Sequence, residues 1–163
     1  TAAANLVVTQ LNPALSVAKT VSVLSDPING SSNPKAIPGA TMVYSITVSN
    51  TGPGSISADS TVITDPVPAN LTLCTGNGSG SSGLTVAFID GSGGNASGLT
   101  ALAAGDISYS NTAGGGAPFT YAPAANTCDP AITGLRINPK GSMSGASGGN
   151  TPTFTLQFKT TVR

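Results

Sequence analysis

Several short stretches of this 163-residue chain combine residue types and spacings that chemistry uses. Residues 145–149, Gly-Ala-Ser-Gly-Gly, fit the Gly-x-Ser-x-Gly turn of serine hydrolases. That turn holds its serine between a strand and a helix and needs a histidine to take the proton. The chain contains no histidine, so no catalytic residue is assigned and an enzyme is not expected. Residues 78–83, Gly-Ser-Gly-Ser-Ser-Gly, fit the Gly-x-Gly-x-x-Gly phosphate turn. Phosphate is held there by the N-terminus of a following helix, and here a strand pattern follows, so a plain loop is expected. Asp90 and Asn95 could offer oxygens to calcium. Calcium takes six or more oxygens and usually several carboxylates, so one Asp reads as a turn residue and no metal or cofactor is assigned.

Lys19 and the two cysteines are sharper cases. Alternation places Lys19 on the same strand face as Leu15, Val17 and Val21. An inward lysine has three outcomes: an amide bond to an Asn side chain, an ion pair, or a stem laid along an edge with its ammonium in water. The last strand offers it no Asn, and Asp65 is the carboxylate of a candidate buried ion pair, Lys19–Asp65. Cys74 and Cys128 have no Cys-x-x-Cys spacing and no histidine beside them, which argues against zinc. A disulfide made in an oxidising compartment is expected, closing a loop of about 55 residues at up to ~4 kcal/mol. Two free buried thiols are the other reading.

Composition narrows the partners. Charged residues make up 7% of the chain, and six Lys and Arg balance six acidic residues, all Asp. Phosphate backbones and anionic membrane surfaces both need basic patches, so neither nucleic acid nor a membrane surface is an expected partner. No apolar stretch approaches the ~20 residues of a membrane-crossing helix. A surface of Ser, Thr, Asn and Gly can pack against copies of itself without burying charge.

The elements that must position these residues read as strands. Gly and Pro, 21 and 12 in number, cluster in loops such as 76–83 and 91–98. Apolar alternation runs between them at 14–24, 41–50 and 152–162, with shorter runs at 60–65, 71–74, 84–89, 106–110, 119–122 and 131–137. Helical periodicity is missing, and 98–106 offers one short turn at most. Many short strands with turn-rich connections predict an all-β, antiparallel β-sandwich. No repeat of 20–50 residues is present, so residues 13–163 read as a single domain.

The run "SDPINGSSNPKAIPGATMVYSITVSNTGPGSISADSTVITDPVPANLTL" (25–73) resembles a bacterial extracellular repeat family, domain of unknown function eleven. The combination that carries the resemblance is "KAIPGA", then "YSITVSNTGPG", then "TDPVPANL"; "LSVAKTVS" (15–22) also fits, and the closing strand fits loosely. Residues 74–130 match no part of the family, so about half the chain is covered. The resemblance implies an immunoglobulin-like sandwich on a secreted or cell-surface protein, without catalytic residues. Members are usually strung in tandem. This chain carries one copy behind an extra N-terminal segment.

That extension, residues 1–12, poses the main question. Residues 5–11, Asn-Leu-Val-Val-Thr-Gln-Leu, carry Leu6 and Val8 on one face and Val7 and Leu11 on the other. A strand apolar on both faces belongs inside a sheet. Either it is the split first strand of its own domain, crossing at Pro13, or it completes the sheet of a neighbouring copy by strand addition. The second reading is favoured. The beginning "TAAAN" reads as a mature end after signal cleavage, and no anchor is visible up to Arg163. The expectation is a secreted, extracellular or cell-surface subunit that polymerises head-to-tail into a pilus-like filament, with Leu6, Val7, Val8 and Leu11 as the donor strand and copies of itself as partners. The alternative is a cell-surface adhesion or glycan-binding module using the loops at 76–83, 91–98 and 111–118.

Overall fold

The computed structural model describes residues 10–76 and 83–163. Nine strands form among these residues: β1 (Leu15–Ser25), β2 (Thr41–Asn50), β3 (Ile63–Pro66), β4 (Leu71–Cys74), β5 (Val86–Asp90), β6 (Ile107–Ser110), β7 (Cys128–Asp129), β8 (Gly134–Ile137) and β9 (Thr153–Val162). Every strand pair is antiparallel. The larger sheet runs β1-β2-β9-β4-β7, with β5 also paired to β9; the smaller runs β3-β8-β6. The chain is all-β and sandwich-like, as the alternation predicts. Among the described residues the helical content is three single 3-10 turns, one of them, Ala104–Asp106, inside the stretch expected to hold one turn.

β9 is the spine of the larger sheet. Its alternation is strict: Phe154, Leu156, Phe158 and Thr160 are buried, and the residues between them are half-buried. It pairs with β2 through nine residues, while β4 and β5 share its other edge end to end. On the outward face, small polar side chains bond across the ladder: Thr47 to Thr155 at 2.9 Å, Ser49 to Thr153 at 3.0 Å and Gln157 to Ser45 at 3.0 Å. On the inward face, Phe158 stacks on Tyr44 and Phe154 on Phe88. Ile107, Leu135 and Ile137 of the smaller sheet meet this layer, and Leu99, Ile132 and Met143 fill in from loops.

One short run and the depth of one strand depart from expectation. Residues 119–122 form no strand; Tyr121 makes a single bridge to Tyr109, because Pro118 and Pro123 bracket the run and proline cannot donate to a ladder. Alternation places Leu15, Val17, Val21 and Val23 on the core-facing side of β1, across from Asn50, Val48, Tyr44 and Met42. Leu15, Val17 and Val21 nevertheless stay 51%, 62% and 49% exposed. The larger sheet is wider than the smaller, and among the described residues its β1 edge is only partly covered, with Asp65 of β3 meeting Lys19.

Candidate subunit interface

The chain enters β1 through a clamp built on Asn50. The sequence Asn50-Thr-Gly-Pro-Gly54 ends β2, because Pro53 cannot continue the ladder. The Asn50 side chain is fully buried and all its hydrogen-bonding capacity is used. Its Oδ1 accepts from the Ala14 N–H at 3.0 Å and the Gly52 N–H at 3.2 Å. Its Nδ2 donates to the Gly54 carbonyl at 2.7 Å and the Ser144 carbonyl at 2.9 Å. Thr51 N–H donates to the Ala14 carbonyl, and Gly54 N–H to that of Asn12. Residues 12–14 therefore continue the line of β1 along 51–54. Gly52 and Gly54 permit this approach, since a β-carbon at either would collide with the backbone of residues 11–14. From the residues alone this motif reads only as a strand stop. Its readable signal is an Asn at a strand end followed by two closely spaced glycines.

Of the candidate donor residues, Leu6, Val7 and Val8 lie outside the described residues. Leu11 is described; it sits just before the clamp and is 59% exposed.

Beyond the clamp runs the partly covered side of β1. Lys19 stands in the middle of the apolar row, opposite Ile46. Its ammonium lies 2.6 Å from Asp65 Oδ1 on β3 and 4.9 Å from the centre of the Tyr44 ring. Asp65 is buried, whereas the lysine side chain remains 37% exposed, so the pair is half-buried. Burial, with the Asp65 charge adding to it, pushes the Tyr44 phenol above its ordinary value. The ion pair crosses the gap between the sheets at its open side and sets β3 beside this row.

Among the described residues, β3 is the edge of the smaller sheet and pairs with β8 alone. Val67 N–H donates to the Thr133 carbonyl, continuing the register in which Ile63 faces Ile137 and Asp65 faces Leu135. By strand alternation, the backbone groups of Val62, Thr64 and Pro66 point away from β8. They have no partner among the described residues.

The remaining candidates take ordinary roles. Cys74 and Cys128 are joined in a disulfide, directly opposite each other on β4 and β7. Asp90 accepts the backbone N–H groups of Gly91 and Ser97, and Asn95 that of Thr151, which makes them turn residues. Residues 145–149 lead into β9 and not into a helix. Of the three loops of the adhesion reading, residues 77–82 lie outside the described residues, and the other two loops sit apart. Residues 91–98 pack at Thr153, where β9 begins. Residues 111–118 sit by Pro66 and Thr133, at the end of the domain where the chain turns into β4 and meets the close of β9. A cavity of about 210 Å³ beside Gly76 and Gly83 is lined by Tyr109, whose hydroxyl is already bonded to Thr85. It falls below the ~300 Å³ at which ligand pockets begin.

No family model and no curated protein matches this chain.

Proposed function

We propose that this protein is a structural subunit that assembles head-to-tail into an extracellular, pilus-like filament by donating its N-terminal segment to the next copy. The observation that carries the reading is the clamp. Hydrogen bonds at residues 12 and 14 hold the chain along 51–54 and in line with β1, so at Asn12 the chain runs along the axis of its own strand and not back across the sheets. An apolar segment that leaves its fold needs cover elsewhere. A donor and an acceptor on different parts of one surface form a heterologous contact, which propagates unless it closes into a ring. The low charge of the chain lets copies approach without desolvating ions. The resemblance of residues 15–73 to domain of unknown function eleven supports an immunoglobulin-like topology and a place outside the cell, and the disulfide is compatible with that place.

The test is assembly of the full chain, followed by light scattering and electron microscopy. Filaments are expected from the native sequence, and folded monomers from a Val7→Asp/Val8→Asp double variant. A native chain that stays monomeric at high concentration would sink the reading.

A further inference from the structure

Resting on strand exchange, we infer that the acceptor groove is the partly covered core-facing side of β1 together with the free edge of β3, and that its occupant is residues 5–11 of a second copy of this chain. The floor is Leu15, Val17 and Val21, which face the core side of the larger sheet yet are about half exposed. Side chains on that face normally meet a second layer. The smaller sheet stops one strand short of supplying it. Strands within a sheet lie ~4.8 Å apart and stacked sheets ~10 Å apart, so a strand added to β3 would sit over β1. The Lys19–Asp65 contact fixes β3 on that side of the gap.

The edge of β3 can receive such a strand. Val62 and Thr64 present N–H groups, and Val62, Thr64 and Pro66 present carbonyls, all without partners among the described residues. Length agrees as well. Leu15 to Val21 spans ~20 Å and a seven-residue donor ~23 Å at ~3.3 Å per residue. Residues 5–11 are uncharged and apolar on both faces, so either register sets an apolar pair, Leu6 with Val8 or Val7 with Leu11, against the floor. The one charge in the floor, Lys19, already has its counter-ion, so entry strands no unpaired ion. Residues of the same chain fit less well, because Asn12 is still bonded to Gly54 and the chain would have to reverse immediately beyond it.

The experiment uses four full-length chains: native, Val7→Asp/Val8→Asp (donor), Val17→Asp (groove) and Ser16→Asp, which loads the opposite face of the same strand. Circular dichroism checks each fold, and light scattering reads each mass. Native and Ser16→Asp chains should polymerise alike, while donor and groove variants should be folded monomers. Mixing those two variants should give particles of two chains and no larger, since the intact segment of one fits the intact groove of the other and no second junction can form. If Val17→Asp polymerises like the native chain while the donor variant does not, the groove lies elsewhere and strand exchange survives. If the donor variant polymerises too, strand exchange itself falls. If the native chain is monomeric and Val17→Asp only lowers its melting temperature, the segment fills its own groove and the second-copy occupant is overturned. Should Val17→Asp fail to fold, the near-isosteric Val17→Thr replaces it, with an expected tenfold or greater rise in the concentration needed for assembly; an unchanged threshold counts against the groove.

Discussion

Asn50 serves backbone groups from three separated segments, residues 14, 52–54 and 144, with one buried side chain. Truncating it to alanine leaves two N–H groups and two carbonyls without that partner. Asn50→Ala should cost about 2–4 kcal/mol, read as a lower midpoint in urea unfolding. Gly54→Ala should spare much of the core but displace residues 11–14, so protease nicking near Leu11 should rise while the melting temperature falls less than for Asn50→Ala. Asp26 gives a pH signature. Its carboxylate accepts the backbone N–H groups of Asn29, Lys35 and Ile28 and the Asn29 side-chain amide. These bonds, that of the Asn29 backbone foremost, lower its pKa to about 2. A carboxylate held below its unfolded value stabilises the fold fully above about pH 4, and that contribution is lost as pH falls towards 2. Comparing native and Asp26→Asn chains across pH 2–5 should show the native advantage fading over that window; a constant difference would refute the assignment. The Asn50 network was not visible in the sequence, because its partners at Ala14 and Ser144 are distant, whereas Asp26 looks like a turn residue and its partners are local.

Among the strands, legibility followed burial. β2 and β9 alternate between apolar and polar residues over most of their length and have cover on the inward face, so their pattern gave both face and depth. β1 alternates just as clearly, and the face read from it is right. Its depth was not readable, because periodicity reports which way side chains point and says nothing about what lies over them. β7 is only two residues long and carries no pattern at all; it pairs where the disulfide joins it to β4. Replacing both cysteines by alanine, or reducing the bond, should therefore lower stability by up to ~4 kcal/mol. Hydrogen exchange should show residues 124–129 losing protection before β2 or β9 does. Leu6, Val7 and Val8 were singled out from sequence as candidate donor residues, but no receptor was. The proposed groove combines β1 and β3, about 45 residues apart, and a strand order is needed to see it.

For the molecule as a whole, the sparse charge has a measurable result. With six cations and six anions in the chain, and Lys19 the one charge in the proposed groove floor, the proposed junction would gain little from long-range electrostatics. Raising salt from 0.05 to 0.5 M shortens the screening length from over 10 Å to a few ångströms, yet assembly should change by less than about threefold. A steep fall with salt would mean that charges, and not buried apolar side chains, hold the copies together.

Consider, finally, how such a thread would bear tension. A pull on the N-terminal segment enters the fold through the clamp at residues 12–14 and passes straight down the axis of β1. The ten cross-strand pairs that bind β1 to β2 lie across that axis, so they share the load in shear and do not unzip one after another. β2 hands the force on to β9 through nine more pairs. A seven-residue donor offers a shorter ladder than either. Under strain the thread should part at its joints while its links stay folded, and a parted joint can form again.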